Sequence, residues 1–337
     1  MCSPIHLVLE ETIRHLFLGN NMQFDHVYIG SSSCVSVQET FDNPNWFEAL
    51  KPLTAEPTKA LAPDYKKYLD PMATRRMSKV LKNALLTARQ AMDQSGIAEL
   101  DAVITATAWG CQEDTTKFLD SFESMGEELL SPTSFIQSTH NTIGGLIAMS
   151  VKCNGYNNTI SHDFLSFETS LLDAVLLLKE NKTAMNCYVG GIDELTDFSA
   201  GIFSNARCFD GVHTITEAAT SFIIHNHSSA RKTAALTNIS FTPAIDQTIL
   251  DLITKNKPDL ILCSSKLNVG VPVFDYRSLC GEFSTAAAFG LFLAGELFTK
   301  EGAKEAIGFS SSNTLQKIAV INVYPEGRCS YLEIQKC

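Results

Sequence analysis

The sequence predicts an α/β protein whose core is built from two similar halves, and three observations lead to that prediction. Apolar segments of strand length alternate with longer segments of helical periodicity. A strand, a tight turn and a helix of small or apolar residues follow one another twice, at 157–178 and 273–294. The chain has 337 residues, 45% of them hydrophobic, which is enough for one large core or two ordinary ones.

The first elements combine an irregular segment, a helix and a strand. Prolines and aromatic residues in 43–70 predict a packed surface insertion or a contact surface. In 75–92 apolar residues recur at helical spacing, and Gly96 ends the predicted helix. The apolar segment 100–110 predicts a strand. A further helix opens near Gln112, with acidic residues in its first turn, where the helix dipole favours them.

The remainder of the first half contains the first predicted elbow. Segment 131–149 indicates a polar loop that leads into a helix of small residues. Segment 157–178 predicts a buried strand, a sharp elbow and an apolar helix, and 185–193 predicts the next strand. An elbow of this kind exposes one side chain where a nucleophile can act. Here the elbow offers Asp163, Phe164 and Leu165 where a nucleophile is expected.

The second half repeats this outline. Segment 258–270 predicts a buried strand that ends in a polar loop, and 273–294 repeats the elbow followed by a small-residue helix. Segment 317–334 predicts a closing hairpin. The repetition indicates an internal duplication, and we divide the chain into halves 1–227 and 228–337.

Composition limits the classes of partner and location. The net charge of −11 argues against nucleic acid and anionic membrane surfaces as direct partners. Ten cysteines without a CxxC pair predict reduced thiols in a cytoplasmic protein. No metal-ligand spacing accompanies them, so neither a metal nor a cofactor is predicted. No apolar run predicts a membrane span, and we interpret residues 1–19 as mature chain rather than a signal peptide.

A family resemblance rests on the order and spacing of several short motifs. RRMSK precedes a helix, SPTSFIQSTHN precedes a small-residue helix, GGIDE lies on a strand, and both halves contain an elbow. Over roughly residues 70–334 this arrangement resembles the β-ketoacyl synthases. The closest likeness is to short, divergent synthase-like proteins of aryl-polyene and flexirubin-type pigment pathways. The resemblance implies a thiolase-like five-layer αβαβα core and a dimer.

The same resemblance implies that the catalytic groups are lost. The family's nucleophilic Cys falls on Phe164, and its second-elbow Lys and His fall on Arg277 and Glu282. As a free carboxylate, Glu282 would repel an enolate. The remaining family His belongs to a loop after 258–270 and is absent, because no histidine follows His227. The family's glycine-rich gating loop is also replaced, by NVYPEG.

The resemblance therefore implies a chain-length-factor-like subunit. Such a subunit lacks activity alone, pairs with an active ketosynthase as a heterodimer, and meets the acyl carrier protein through that complex, in polyketide, polyene or fatty-acid-like chain elongation. The family's tunnel-facing helix corresponds to 112–122, which makes Phe118, Leu119 and Phe122 candidates for the tunnel end, with plain core as the alternative. Asn141 matches a family Asn that fixes backbone geometry near the elbow.

Two other functions stay open at this stage. One is a thiolase-fold acyltransferase with a displaced nucleophile, for which Cys111 at a strand-to-helix junction is the best candidate. Its neighbours Glu113 and Asp114 oppose thiolate formation, and a free cysteine is most often a small core residue. The other is a homodimeric module that binds acyl groups or carrier protein.

The remaining polar residues near the elbows favour structural roles. His140 is expected to be packed and hydrogen-bonded, and Cys280 to pack at a turn. His162 and Asp163 are adjacent in the chain and so point to opposite faces, while Ser166 has no evident base. For Phe164 two roles remain open: a core aromatic that replaced a useless cysteine, or a plug for the pocket.

Overall fold

The computed structural model describes residues 22–126, 130–181, 183–206, 213–227, 230–300, 302–309, 314–324 and 327–337. The predicted mature N-terminal segment lies outside these ranges. Two short 3₁₀ helices cover Trp46–Ala49 and Asp163–Leu165. In chain order, the other elements of the described ranges are β1 Met22–Gln23, β2 Tyr28–Val35, α1 Tyr65–Tyr68, α2 Lys79–Ser95, β3 Ala102–Ala106, α3 Gln112–Met125, α4 Pro132–Gln137, α5 Thr142–Val151, β4 Tyr156–Ile160, α6 Ser166–Glu180, β5 Asn186–Asp193, α7 Asp197–Ala206, β6 Ala218–His225, β7 Ala234–Thr242, α8 Gln247–Asn256, β8 Leu260–Cys263, β9 Val273–Phe274, α9 Arg277–Cys280, α10 Ala286–Thr299, α11 Ala303–Ala306, β10 Lys317–Val323 and β11 Cys329–Lys336.

The strands form one continuous mixed sheet that divides naturally into two parts. The order is β4-β3-β5-β6-β2-β7-β11-β10-β8-β9, with β1 beside β7. Counted within each half, both parts follow the order third, second, fourth, fifth, first strand. Strands β2 and β7 join the two parts through two residue pairs, Tyr28 with Ala235 and Ile29 with Ala234, and β1 adds a short pairing with β7. The proposed division after residue 227 falls between β6 and β7.

Helices cover both faces of each part of the sheet, which gives the five layers. Along each strand alternate side chains enter different cores. Helices α2 and α5 cover the outer face of the first part, and α8 covers the outer face of the second. Helices α6 and α10 lie between the two parts and bury the largest core. The thiolase-like αβαβα architecture is therefore confirmed.

Helix α2 differs from its prediction at one end only. It begins at Lys79 rather than Arg75, because Ser78 has extended backbone angles and marks the boundary. It ends as predicted, since Gly96 adopts a left-handed conformation with φ of 71°.

The prediction for the strand before the first elbow is wrong in one respect. We predict a buried strand, but β4 is the edge of the sheet and pairs only with β3 on its inner side. Its residues are exposed or half-buried. The C-terminal hairpin, in contrast, is confirmed: β10 and β11 pair antiparallel from Lys317 to Gln335.

The irregular segment 43–70 is anchored at several points, of which Trp46 is the largest side chain. Trp46 is buried, stacks on Phe47, and donates its indole N–H to Glu296 at 3.1 Å. Most of the remaining segment is exposed. Among the described residues no helix is long and apolar enough to cross a membrane, and no three His, Cys, Asp or Glu side chains cluster as metal ligands.

Candidate functional site

The first elbow has the sharp geometry that its sequence indicates. After β4 ends, Asp163 adopts a φ of 49°, in the left-handed region that non-glycine residues seldom occupy. The Ser166 hydroxyl donates to the Asp163 carbonyl at 2.6 Å and accepts from the His162 N–H at 2.8 Å. Ser166 thus stabilises the turn, and its hydroxyl is committed to the backbone.

Phe164 is the middle residue of the short 3₁₀ helix at this elbow. Its side chain is buried in the central core, and its ring centroid lies 6.0 Å from that of Tyr324. Tyr324 comes from the chain segment that follows β10, in the second half. The two rings therefore meet where the halves of the protein face each other.

The second elbow is equally tight. Gly281 has a φ of 77°, and a Cβ atom added there would lie 2.3 Å from the Thr216 side chain, so a larger residue does not fit. Just before it, α9 carries Arg277, and just after it stands Glu282. Both side chains point into the interior and are almost fully buried.

Arg277 and Glu282 form a buried ion pair. The Arg277 Nη1 atom donates to Glu282 Oε1 at 2.5 Å, and Nη2 donates to Asn322 Oδ1 at 2.6 Å and to the Val323 carbonyl at 3.1 Å. Burial alone would lower the pKa of Arg277, but the negative charge of Glu282 outweighs it and the pKa is raised. The guanidinium therefore keeps its charge, and Glu282 is a paired group rather than the free carboxylate that the sequence suggested.

A second buried acid, Glu168, lies on the first helix turn after the first elbow. Its Oε1 atom accepts hydrogen bonds from Tyr324 at 2.6 Å, Ser330 at 2.7 Å and Asn322 at 3.1 Å. Burial raises its pKa, and these three donors lower it in part. Sequence reasoning missed Glu168, although an acid on the apolar face of a helix at an elbow was an available signal.

His213 adds a positive group from the first half. Its Nε2 lies 2.7 Å from Asp275 Oδ2, and its Nδ1 lies 3.4 Å from Glu282 Oε1. The hydrogen bond to Asp275 and the nearby carboxylate of Glu282 raise the pKa of His213 to about 9. The interior between the elbows thus holds alternating charges and hydrogen bonds that connect Asp275, His213, Glu282, Arg277, Asn322 and Glu168.

The comparisons with known proteins bear on this arrangement. Residues 46–189 match the family model "Beta-ketoacyl synthase, N-terminal domain". A solved structure described as "The ishigamide ketosynthase/chain length factor" superposes with a TM-score of 0.69 and 16% identity, covering 93% of this chain and 99% of that chain. The chain shares the fold of solved ketosynthases, and residues 46–189 are similar to the N-terminal domain of β-ketoacyl synthases.

Other solved ketosynthases give the same result. A type II polyketide acyl carrier protein in complex with its ketosynthase (AntDE:AntF) has a TM-score of 0.75 and 11% identity, over 92% of this chain and 99% of that chain. A ketosynthase in complex with its chain length factor (ApeO with ApeC) from Xenorhabdus doucetiae has a TM-score of 0.54 and 13% identity, over 93% and 100%. Identities this low concern the fold alone. No curated protein matches the sequence.

Cys111, the candidate for a displaced nucleophile, is inaccessible. Cys111 begins α3 and is fully buried. Burial, followed by the charges of Glu194 and Asp114, raises the pKa of its thiol, so the reactive thiolate is suppressed. Cys280, at the second elbow, is likewise buried with a raised pKa, in agreement with a packing role.

The histidines of the first half lack catalytic surroundings. The His162 Nδ1 atom lies 3.3 Å from the Thr169 hydroxyl, and burial lowers the pKa of His162. His140 is exposed, and its ring covers Gly110. The described part of the chain provides His140 with packing but not with the predicted hydrogen bond.

The tunnel candidates lie on an exposed surface. Leu119 and Phe122 on α3 are 57% and 46% exposed, so neither is a core residue of this chain. Phe118 is half-buried, and its ring centroid lies 5.3 Å from that of Phe135 on α4. Asn141 is exposed, and at the start of α5 only its backbone carbonyl is engaged, by the Gly145 N–H.

Leu119 and Phe122 belong to a larger apolar area, which we call the edge surface. Strand β4 is the outermost strand, with α5 packed on one face and α6 on the other. Helix α4 precedes α5 and packs on α3. The edge surface consists of the exposed apolar side chains of these elements: Leu119, Phe122, Phe135, Ile136, Met149, Tyr156 and Leu176.

Proposed function

We propose that this chain is a non-catalytic, chain-length-factor-like subunit that pairs with an active ketosynthase and shapes the tunnel in which an acyl chain grows on its carrier protein. The observations that carry the proposal are the buried Arg277–Glu282 pair at the second elbow and the buried ring of Phe164 at the first. These are the three positions at which the resemblance expects a Lys, a His and a Cys.

The chemistry of these residues excludes the family reaction at this site. A phenyl ring cannot attack a thioester, and a guanidinium does not release its proton at physiological pH. Glu282 has its negative charge balanced by Arg277 and His213 and cannot serve as a neutral hydrogen-bond donor to an enolate. The protonated imidazole of His213 is itself held between two carboxylates.

The edge surface supports the pairing. The outer side of β4 presents backbone groups that the sheet leaves unpaired, and such an edge is a ready template for another strand. Met149 and Ile136 beside it are 76% and 62% exposed, and contiguous exposed apolar side chains of this kind mark protein interfaces. A similar fold occurs in the solved ketosynthase that is in complex with its chain length factor.

The finer assignment concerns the pathway. We propose aryl-polyene or flexirubin-type chain elongation, or a related polyketide or fatty-acid-like pathway, on the motif resemblance alone. The absence of a CxxC pair supports a reducing, cytoplasmic location. Mass analysis of the product on the carrier protein, formed by the complex, tests the pathway assignment.

A second candidate is a homodimer that binds acyl groups or carrier protein. The exposed edge of β4 favours it as well, because a second copy of the chain can pair there as readily as a synthase. No observation on the described residues supports an acyltransferase that uses Cys111 as its nucleophile, since that thiol is buried with a raised pKa.

Co-expression with a complete Cys-His-His ketosynthase from the same genome tests the pairing. We expect a 1:1 complex, and Met149→Glu should abolish it without unfolding the chain. Met72→Glu is the matched control, because Met72 is 74% exposed but lies before α2 rather than beside β4. Recovery of a homodimer in the presence of the synthase would favour the second candidate instead.

A further inference from the structure

A polar cavity lies where the two parts of the sheet separate. Strand β2 pairs with β7 only at Tyr28 and Ile29, and a bulge interrupts the strand between Ile29 and Ser31. Beyond the bulge β2 continues along β6 alone. The space beside Ser31–Ser33 is a cavity of about 470 Å³, closed by the end of α2 and the end of α10. None of its lining residues belongs to either elbow.

One wall of the cavity offers hydrogen-bond acceptors. The Ser31 hydroxyl donates to the Ala91 carbonyl at 2.5 Å, and the Ser33 hydroxyl donates to Gln90 Oε1 at 2.6 Å. Thr233 and Thr299 likewise donate to backbone carbonyls at 3.2 and 3.1 Å. Since each hydroxyl hydrogen is used within the protein, the oxygen lone pairs of these side chains remain to accept hydrogen bonds from a ligand.

Other side chains offer donors. Gln90 and Gln94 stand one turn apart on α2 and both line the cavity. Because Ser33 occupies the Gln90 oxygen, the amide N–H₂ of Gln90 is the group left to bind a ligand. Arg231 and Lys300 also line the cavity, and neither forms an ion pair with any described residue.

Arg231 is held in position by the surrounding backbone. Its Nη1 atom donates to the Gln94 carbonyl at 3.2 Å, and its own carbonyl lies 2.9 Å from His225 Nε2. Of the two acids that line the cavity, Asp42 is engaged by Lys67 and Tyr68. Glu296 accepts the indole N–H of Trp46, and burial raises its pKa. The charge of Lys300 lowers the pKa of Glu296 in part, so Lys300 is shared with that acid. Arg231 is the charged group of the lining that has no acid partner among the described residues.

We propose that this cavity binds a small polyhydroxylated anion, such as a sugar phosphate or a sugar acid. The serine and threonine oxygens and the glutamine amides would take the ligand hydroxyl groups, and Arg231 and Lys300 would take its anionic group. The cavity volume lies within the range of small-molecule sites. The proposal is independent of the pairing with a ketosynthase.

Titration calorimetry on the chain, alone or in its complex, tests the proposal with glucose 6-phosphate and gluconate as probes. Glucose and inorganic phosphate are the two fragment controls. We expect at least one of the two probes to bind about tenfold more tightly than either fragment, which corresponds to about 1.4 kcal/mol. Tighter binding of glucose 6-phosphate indicates a phosphate ligand, and tighter binding of gluconate indicates a carboxylate ligand. The proposal is overturned if inorganic phosphate or glucose alone binds as tightly as the better probe. It is also overturned if neither probe binds at millimolar concentration.

Two variants locate the site. Arg231→Gln should weaken the better probe about tenfold, whereas Lys255→Gln, an exposed lysine on α8, should not. Gly295→Leu should block the cavity without strain, because a Cβ atom there would meet only the Thr233 methyl, at 3.9 Å. Melting curves confirm that each variant is folded. Undiminished binding to both Arg231→Gln and Gly295→Leu would place the ligand elsewhere.

Discussion

The interior between the two elbows and the edge surface differ in how completely they are satisfied within one chain. At the elbows, Phe164 is packed against Tyr324 and Arg277 is paired with Glu282. At the edge surface, β4 has neighbours on one side only and Met149 is 76% exposed. The interior between the elbows is packed within the chain, whereas the edge surface is exposed.

This difference indicates which property the fold retains. Charged groups in an interior are tolerated only when they are paired and hydrogen-bonded, and the groups around Arg277 meet that requirement in large part. Among the described residues, Arg277 Nε, Glu168 Oε2 and His213 Nδ1 have no hydrogen-bond partner. The edge surface would be an aggregation hazard in an isolated chain. A chain whose elbows are packed and whose edge surface is exposed is suited to act through a partner, as the proposed function requires.

The largest expected effect comes from breaking the interior ion pair. Arg277→Met leaves Glu282 buried with only His213 as a charged partner, at 3.4 Å. Removing one member of a buried pair typically costs about 3–5 kcal/mol, and we expect a loss in that range by urea denaturation. Lys117→Met is the matched control, because its pair with Glu113 is exposed and should contribute about 0.5 kcal/mol or less.

The double variant Arg277→Met/Glu282→Met sharpens this prediction. Apolar side chains of similar volume remove both charges together, so the double variant should be more stable than Arg277→Met alone. If instead the double variant loses the sum of the stabilities lost by Arg277→Met and Glu282→Met, the Asn322 and Val323 contacts of Arg277 matter more than its charge.

A smaller effect is expected from restoring the nucleophile alone. Phe164→Cys removes a buried ring and should destabilise the chain by about 2–4 kcal/mol. It should not restore condensation, because the groups that stabilise the enolate stay absent and each matters on the order of 10²-fold or more. Neither an acyl-enzyme mass nor CO₂ release from malonyl carrier protein is expected, for the parent chain or the variant. Turnover by the variant would show that another residue supplies the missing function.

The charge cluster also predicts a dependence of stability on pH. The folded-state pKa of His213 is about 9, above its ordinary value of 6.5, because of Asp275 and Glu282. Its contribution is therefore complete below pH 6.5 and is lost as the pH rises through about 9. Asp275 is 42% exposed, and water screens this pair, so we expect a contribution of about 1–2 kcal/mol.

The comparison of two histidine variants tests this dependence. His213→Gln should be less stable than the parent chain at acid pH, and the two unfolding free energies should converge above pH 9. His26→Gln, at an exposed position, should parallel the parent at every pH. A difference that stays constant across the same window would mean that packing, not charge, explains the loss.

Local sequence signals predicted the local structure well. The helical spacing before Gly96, the two elbows and the C-terminal hairpin were readable because each depends on neighbouring residues. The start of α2 was misplaced because Arg75 fits a helical pattern as well as Lys79 does, and only the backbone at Ser78 decides between them.

Long-range arrangement explains what the sequence did not reveal. Strand β4 looks like any short strand, and its place at the sheet edge depends on how the other strands pair. His213 reaches Glu282 across 69 positions of chain, which no spacing rule anticipates. At the positions of the family's Lys and His, the sequence identified Arg277 and Glu282 but could not show that they neutralise each other.

The smallest effect on stability should come from the edge surface, and it tests the tunnel assignment. Phe122 is 46% exposed, so Phe122→Ala leaves no cavity in the free chain and should change the free energy of unfolding by about 0.5 kcal/mol or less. In the complex, a residue at the end of the tunnel limits the length of the growing chain. The variant should then give a longer product from the paired synthase, measured as mass on the carrier protein. Glu123→Ala, at the neighbouring exposed position of α3, is the control and should leave the product unchanged. A complex of normal stability that makes an unchanged product with Phe122→Ala would exclude this residue from the tunnel.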